Sequence, residues 1–201
     1  FHRIYGREGT STIGGLIDRL TRRGMFARFE EVMRQCRSVN AQTMLDVGCG
    51  PGIHDAILAS ELNMRIQGID VAPNMIELAK SNTDARGVAD KCAFSVEDFM
   101  AFDPGRKYDI SMALGVVEYI PQPTDFIARM MTCTQKKVMF SLPVKWHVLT
   151  PQRAIRYKIR KCPLRFYDAG DIEKLMQICE VKTYELKRMY RDYLVIVSMN
   201  E

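Results

Sequence analysis

The chain has 201 residues, of which 47% are hydrophobic and 26% are charged, the proportions of an ordinary globular protein. No apolar run approaches the roughly 20 residues that are needed to cross a bilayer, and we expect no signal peptide at the start of the chain. These features argue against a membrane-spanning chain and predict one domain over residues 1–201 with its own hydrophobic core.

The cysteines bear on metal binding and cellular location, and the charge is distributed unevenly along the chain. None of the six cysteines forms a Cys-x-x-Cys pair, so no metal site is predicted, and unpaired thiols suit a reducing, cytoplasmic location. The net charge of +5 is local, because residues 126–167 hold ten basic side chains and no acidic one, whereas the rest of the chain carries a net charge of −5. The excess of basic residues is therefore a property of this segment, and its function has to be sought there.

The first two thirds of the chain alternate between helical and extended patterns. Apolar side chains at helical spacing predict a helix over residues 24–37, and we expect residues 1–40 to form a helical cap over the ligand cleft. Short apolar runs then predict buried strands. The predicted strands are 43–47, 65–69, 92–96, 108–114 and 137–142, and the predicted helices between them are 53–62, one that starts at Pro73, and about 124–132.

The last third begins with an irregular basic insertion over residues 143–167. Within it we predict a helix from Thr150 to about Lys161, because Thr is a favoured N-cap and Pro151 suits the first helical position. A further helix carries Ile172, Leu175, Met176 and Cys179 on one face. Two strands, roughly 181–188 and 192–199, close the chain as an antiparallel hairpin.

This alternation predicts an α/β fold. Strands that alternate with helices favour a mostly parallel sheet with helices on both faces. We therefore predict a Rossmann-like sheet of seven strands, in which the C-terminal hairpin places one antiparallel strand.

The strongest local signal is LDVGCGPG at residues 45–52, between a predicted strand and a predicted helix. Glycines allow a tight turn and let a ligand approach the backbone, and the start of the following helix offers unpaired N–H groups. Asp70 follows Gly50 by twenty residues and ends the next predicted strand, where a carboxylate can accept hydrogen bonds from two ribose hydroxyls.

Two classes of ligand share this arrangement. A dinucleotide fingerprint, counted from Gly48, requires a small residue at position 53, where this chain has Ile53. The third glycine comes one position earlier, at Gly52, and no basic residue follows Asp70 to meet a 2′-phosphate. The pattern therefore disfavours a nicotinamide dinucleotide.

Several segments together resemble the class I S-adenosylmethionine-dependent methyltransferases. Residues 46–52 are similar to the first motif of that family, and residues 68–75 to its second strand and the turn after it. Residues 97–99 are similar to the end of its third strand, and residues 108–120 to its fourth strand and the loop that follows. Within the family, the small-molecule enzymes of the ubiquinone O-methyltransferase and magnesium-protoporphyrin methyltransferase kind are the most similar.

The resemblance implies a cofactor, S-adenosylmethionine, with S-adenosylhomocysteine as the product. It also implies roles for individual residues. Asp46 and the backbone of Gly48, Gly50 and Gly52 would hold the methionine end of the cofactor, and Asp70 would bind the ribose. Val71 and Met75 would lie beside the adenine, and Asp98 and Phe99 would contact its edge and face. Leu114 would form the floor below the sulfonium.

The catalytic candidates are fewer. Many relatives of this kind have His after the glutamate of the fourth motif, whereas this chain has Tyr119 after Glu118. Either side chain could position the acceptor or close the pocket. His147 is the best candidate for a general base, because imidazole titrates near neutral pH; a packing role for it is the alternative.

The basic insertion is the predicted acceptor side. Lys145, Trp146, Arg153 and Arg156 are the candidate substrate-binding residues, and Arg suits bidentate contacts to a carboxylate or phosphate. Three interpretations stay open for this helix face: a solvated exterior, a site for an acidic acceptor, or contact with anionic lipid or nucleic acid. Tyr157 is the one aromatic residue among the arginines, which argues against RNA.

The sequence thus predicts O-methylation of a small, acidic metabolite. Two alternatives stay open: an N-methyltransferase, and a methyltransferase-like domain that binds without catalysing.

Overall fold

A computed structural model of the chain describes residues 26–146 and 164–199. Seven strands form one sheet in the order β3-β2-β1-β4-β5-β7-β6. The strands are β1 (Thr43–Val47), β2 (Arg65–Asp70), β3 (Cys92–Val96), β4 (Tyr108–Ala113), β5 (Thr134–Pro143), β6 (Tyr184–Met189) and β7 (Asp192–Ser198). The helices are α1 (26–38), α2 (Ile53–Leu62), α3 (Pro73–Ala85), α4 (Pro123–Thr132) and α5 (Ala169–Ile178).

The strand directions confirm the predicted fold class. Strands β1 to β5 pair in parallel, and β7 runs antiparallel to both β5 and β6. The order reverses next to β1, because β2 lies on one side of it and β4 on the other. Ligands of open α/β sheets bind at the carboxyl ends of the strands at such a reversal, so this edge is where a site is expected.

Two predicted strand boundaries are wrong. β5 begins at Thr134 rather than 137, because the chain enters the sheet directly after α4 and the Cys133 carbonyl already accepts the Tyr108 N–H at 2.8 Å. β6 begins at Tyr184 rather than 181, because the end of α5 occupies the preceding residues. Glu180 has a φ of 56°, and the N–H of Val181 donates back to the Met176 carbonyl at 2.9 Å.

Helices cover both faces of the sheet. On one face α1 and α2 bury Phe29, Val32, Ile57 and Leu58 against the central strands, and α3 packs beside them over Phe94. On the other face α4 and α5 enclose a second core cluster. A strand that is buried on both faces consists almost entirely of apolar residues, and the positions of these strands could therefore be predicted from the sequence.

Charged contacts join α1 to β6 and β7. Arg28 donates to Asp192 at 3.0 Å, and Lys187 donates to Glu31 at 2.8 Å. The Arg34 guanidinium, together with Lys187, lowers the pKa of Glu31 to about 2 against a smaller opposing effect of burial. Residues 1–25 and the predicted helix over 150–161 lie outside the described residues, so the predicted cap over the cleft stays a prediction for them.

Within residues 26–146 and 164–199, no helix combines the length and the apolar character that a bilayer crossing requires.

Candidate functional site

The glycine loop joins β1 to α2 at the carboxyl edge of the sheet. It continues the pairing of β1 with β2, because the N–H groups of Gly48 and Cys49 both donate to the Ile69 carbonyl, at 2.8 and 3.0 Å. Gly52 then donates to the Cys49 carbonyl at 3.1 Å and closes the turn. The strand, loop and helix predicted from the sequence are therefore confirmed.

The three loop glycines share a left-handed backbone conformation, but they differ in what surrounds them. All have positive φ, at 73°, 54° and 63° for Gly48, Gly50 and Gly52, a region that other residues enter at a cost of roughly 1–2 kcal/mol. A Cβ on Gly48 would lie 2.4 Å from Cγ2 of Val116, and a Cβ on Gly52 would lie 2.7 Å from Cβ of Ala79. These two glycines therefore permit close packing within the protein.

Gly50 differs from its neighbours because a Cβ there would meet no protein atom within 4 Å. The absent side chain does not make room for the protein itself. A ligand that lies on this loop would instead find the backbone of Gly50 accessible.

Asp70 braces the loop from the end of β2. One carboxylate oxygen accepts the N–H of Gly50 and the other accepts the N–H of Ala72, both at 2.9 Å. Each oxygen retains a further lone pair for a ligand. The amide of Asn82 on α3 also donates to the Pro51 carbonyl at 2.8 Å, so the loop is held from two elements.

Two carboxyl groups are buried beneath the loop. Asp46 of β1 is 3% exposed and Asp55 in the first turn of α2 is completely buried, and the two lie within hydrogen-bonding reach of each other. Burial raises the pKa of Asp55 to about 7, and burial together with the Asp55 charge raises the pKa of Asp46 well above its ordinary value. We call Asp46 and Asp55 the carboxyl pair.

Cys49 lies between two of the glycines but is a poor nucleophile. Burial raises the pKa of its thiol, and the nearby carboxylates of Asp46, Asp55 and Asp70 raise it further. The thiolate is the reactive form of cysteine, so the raised pKa disfavours Cys49 as a nucleophile at neutral pH.

The predicted adenine-side residues surround the next two strand ends. Val71 is 71% exposed directly after β2, and Met75 in the first turn of α3 is half-buried. Asp98 is exposed after β3, where its carboxylate accepts the Met100 N–H at 3.0 Å and shapes a turn. Apolar side chains and a carboxylate at the ends of neighbouring strands suit the face and edge of an aromatic ring.

Phe99 differs from this group because its ring lies in the core, and its predicted contact with the face of the adenine stays a prediction. The ring is 4% exposed and packs edge-on against Phe126 with centroids 4.9 Å apart. Arg129 lies over the same ring and donates to the carbonyls of Phe99 and Phe102. Phe99 therefore anchors the turn after β3 in the core.

The turn after β4 supplies the remaining predicted residues. Leu114 is half-buried, and the next N–H, that of Gly115, donates to the Ser141 hydroxyl at 2.8 Å. Glu118 and Tyr119 follow in a short 3₁₀ turn, Val117–Tyr119, in which Glu118 is 2% exposed and Tyr119 is half-buried. The Glu118 carbonyl accepts the N–H of Arg165 at 3.1 Å, so this turn contacts the far end of the basic insertion.

The two ends of that insertion run side by side. The N–H of Lys145 donates to the Tyr167 carbonyl at 2.8 Å, and the Tyr167 N–H donates to the Pro143 carbonyl at 2.9 Å. The Lys145 ammonium, however, lies 3.2 Å from Asp168 and 3.5 Å from Asp171 at the start of α5. Lys145 therefore pairs with the cap of this helix, and its predicted role toward the acceptor stays a prediction.

Trp146 is 74% exposed, and its carbonyl accepts a hydrogen bond from Arg188 at 3.3 Å. The other acceptor-side predictions, His147, Arg153 and Arg156, lie outside the described residues.

Sequence reasoning missed two residues at this site. Asp55 lies on the face of α2 that the helical period turns inward, together with Leu58 and Leu62. A charged residue on a buried helix face is unusual, and this could have identified Asp55 from the sequence. His54 stacks on Phe29 of α1, with ring centroids 4.4 Å apart. Burial of its imidazole, together with Arg28, lowers its pKa to about 4.

Known proteins share both the sequence pattern and the fold. The profile of the family described as Methyltransferase domain matches residues 38–154. Ajmaline N-methyltransferase of Rauvolfia serpentina is 26% identical over 132 residues, 63% of this chain and 44% of that protein. A ubiquinone biosynthesis O-methyltransferase of Methylobacterium sp. (strain 4-46) is 34% identical over 86 residues, 42% of this chain and 33% of that protein. The chain spans less than half the length of these curated relatives.

Among solved structures, magnesium protoporphyrin IX methyltransferase from Synechocystis PCC 6803 with bound S-adenosylhomocysteine superposes with a TM-score of 0.74. The match covers 99% of this chain and 92% of that chain at 17% identity, so the two share a fold.

Proposed function

The chain belongs to the methyltransferase-domain family, and on this premise we propose that it is an S-adenosylmethionine-dependent methyltransferase acting on a small organic acceptor. The observation that carries the proposal is the glycine loop at the sheet edge. Gly50 presents accessible backbone there, Asp70 braces it from β2, and two buried carboxyl groups lie beneath it.

The residues present fit this cofactor. The carboxyl pair has no basic side chain of the described residues acting on it, which suits a ligand that brings its own positive charge. The lone pairs that Asp70 retains suit two ribose hydroxyls, and Val71 with Met75 suits an adenine face.

When bound, S-adenosylmethionine supplies a methyl group that its sulfonium already activates. The protein therefore has to align the acceptor and exclude water rather than generate a reactive group. Asp46 and the loop backbone would hold the methionine end, and Leu114 with the 3₁₀ turn of Glu118 and Tyr119 would form the wall on the side of the acceptor. His147 would remove a proton where the acceptor is a hydroxyl; a carboxylate acceptor needs no base.

Binding distinguishes this function from that of a dinucleotide enzyme. In titration calorimetry, we expect S-adenosylhomocysteine to bind the wild-type chain and NAD not to bind it. Asp70→Ala lowers the affinity by about 10- to 100-fold, because charged hydrogen bonds of this kind contribute roughly 1.5–3 kcal/mol. Asp103→Ala is the matched control, since Asp103 likewise accepts the N–H two residues ahead, that of Gly105, at 3.0 Å. Binding of NAD alone would refute the proposal.

For the acceptor we propose a small metabolite with an acidic group, methylated on oxygen. The ten basic and no acidic side chains of residues 126–167 support an anionic acceptor, and the name of the ubiquinone biosynthesis relative supports oxygen as the methylated atom. Charge-assisted bonds from Arg153 and Arg156 would hold the anion and draw it toward the sulfonium in a salt-dependent way. The free thiols of the five described cysteines are compatible with a reducing, cytoplasmic location.

The double variant Arg153→Gln/Arg156→Gln tests the acceptor proposal. We expect the Michaelis constant for the acceptor to rise about tenfold or more, as the loss of one charged hydrogen bond would produce, with the affinity for S-adenosylhomocysteine unchanged. The acceptor itself is found by incubating fractionated metabolites with a labelled methyl donor. Arg37→Gln/Arg65→Gln removes the same charge from exposed positions near the amino ends of β1 and β2, away from the glycine loop. Equal kinetics for both double variants would contradict the proposal.

A further inference from the structure

Asp55 is not part of any of the sequence motifs described above, yet it is buried next to the glycine loop. It is completely buried in the first turn of α2, and Asp46, at 3% exposure, faces it from the end of β1. The loop that joins these two elements therefore passes directly over the carboxyl pair.

Neither oxygen of Asp55 receives a hydrogen bond from an N–H or O–H group of the described residues. The Asp46 carboxyl is the partner within reach. Two ionised carboxylates repel each other, so a hydrogen bond between them requires that one of them is protonated. Two acids in such contact titrate together, and the proton belongs to the pair.

The surroundings of the pair contain no compensating cation among the described residues. Asp70 faces it from β2, Cys49 from the loop and Cys92 from β3. The charge of Asp55 acts on the thiols of both cysteines, and that of Asp46 acts on Cys49. His54, which precedes Asp55 on α2, is neutral near pH 7 because its pKa is lowered to about 4. In the absence of a ligand, a proton is therefore what limits the negative charge in this buried space.

We propose that Asp55 is a positioning residue that shares one proton with Asp46, and that binding of the α-ammonium group of S-adenosylmethionine or S-adenosylhomocysteine near the pair releases this proton to solvent. The inference rests on the proposed function. A positive charge near the pair stabilises its fully ionised form, so the ligand takes over the role of the proton. Cofactor affinity then becomes linked to pH, and Asp55 tunes it without touching the ligand.

Titration calorimetry with S-adenosylhomocysteine measures this exchange directly, because the observed enthalpy depends on the ionisation enthalpy of the buffer when protons are released. We expect release at about pH 6, with a decline toward pH 8 as the pair ionises without ligand. The affinity rises with pH over the same range. Asp55→Asn preserves the size of the side chain and offers an N–H to Asp46, so it binds the ligand with no proton release and a flat pH dependence.

Asp84→Asn on the exposed end of α3 makes the same acid-to-amide change outside the pair and keeps the release of the wild type. Infrared spectroscopy provides a readout that needs no variant. The ligand-free wild type shows the carbonyl band of a protonated carboxylic acid near neutral pH, and that band disappears when S-adenosylhomocysteine binds.

The outcomes separate the two proposals. Binding without proton release, or proton release that persists in Asp55→Asn, overturns the inference and leaves the proposed function intact. A ligand-free protein without the carboxylic acid band also overturns it. Failure of the wild type to bind S-adenosylhomocysteine overturns the proposed function, and the inference with it.

Discussion

Gly50 and Gly105 share a backbone conformation and differ in location. Their φ values are 54° and 61°, and a Cβ on either would meet no protein atom within 4 Å. Gly105 precedes β4 at the opposite edge of the sheet from the glycine loop. We expect Gly50→Ala and Gly105→Ala to lower the free energy of unfolding alike, by about 1–2 kcal/mol, because both force a Cβ into the left-handed region.

The two variants should differ in ligand binding. The new methyl group of Gly50→Ala projects into the space above the loop, so the affinity for S-adenosylhomocysteine drops by about tenfold or more, or roughly 1.4 kcal/mol per factor of ten. Gly105→Ala binds like the wild type. Urea unfolding and titration calorimetry measure the two effects, and equal affinities would show that no ligand lies on this loop.

At the scale of elements, the contact between α1 and α2 determines the state of His54. The residue keeps some exposed surface, but the protein encloses its imidazole, which stacks on Phe29. We expect nuclear magnetic resonance titration to show a neutral imidazole from pH 8 down to about pH 5, because its pKa is lowered from 6.5 to about 4.

Phe29→Leu tests the cause of that shift. The change removes the stacked ring, so water reaches the imidazole and the pKa of His54 rises toward 6.5. Phe126→Leu removes an equally buried ring from the other face of the sheet and leaves the titration unchanged. A His54 that titrates alike in both variants would mean that α1 does not enclose it.

At the scale of the whole molecule, the carboxyl pair gives the ligand-free protein an unusual pH dependence. An Asp whose pKa is raised on folding stabilises the protein below the unfolded pKa of about 4, and this contribution is lost as the pH rises through the folded value, about 7 for Asp55. The free energy of unfolding therefore falls across this window, by on the order of 4 kcal/mol at most for a shift of roughly three pKa units. His54 acts in the opposite direction, because its lowered pKa adds stability as the pH rises from about 4 to 6.5.

Comparison with Asp55→Asn isolates the contribution of the pair, because His54 is common to both proteins. We expect the difference in the free energy of unfolding between variant and wild type to grow in favour of the variant from about pH 5 to pH 8. Urea unfolding without ligand at several pH values measures it. A difference that stays constant with pH would show that the pair holds no proton in the folded state.

The sequence by itself determined the sheet and the position of the site. Alternating apolar runs placed all five parallel strands, and the glycines of residues 48–52 followed by Asp70 marked the edge where a ligand binds. Such features are local: a buried strand is a run of apolar residues, and a left-handed turn requires glycine whatever surrounds it.

Only the tertiary structure decided which side chains meet. Phe99 follows a strand that ends at the site, yet its ring packs into the core, and Lys145 belongs to a basic segment, yet its ammonium pairs with the cap of α5. Asp46 and Asp55 are nine residues apart and lie on different elements, so their contact depends on how α2 packs against β1. Periodicity predicts the face on which a residue lies, whereas its charge state and its partners depend on what the rest of the fold places opposite it.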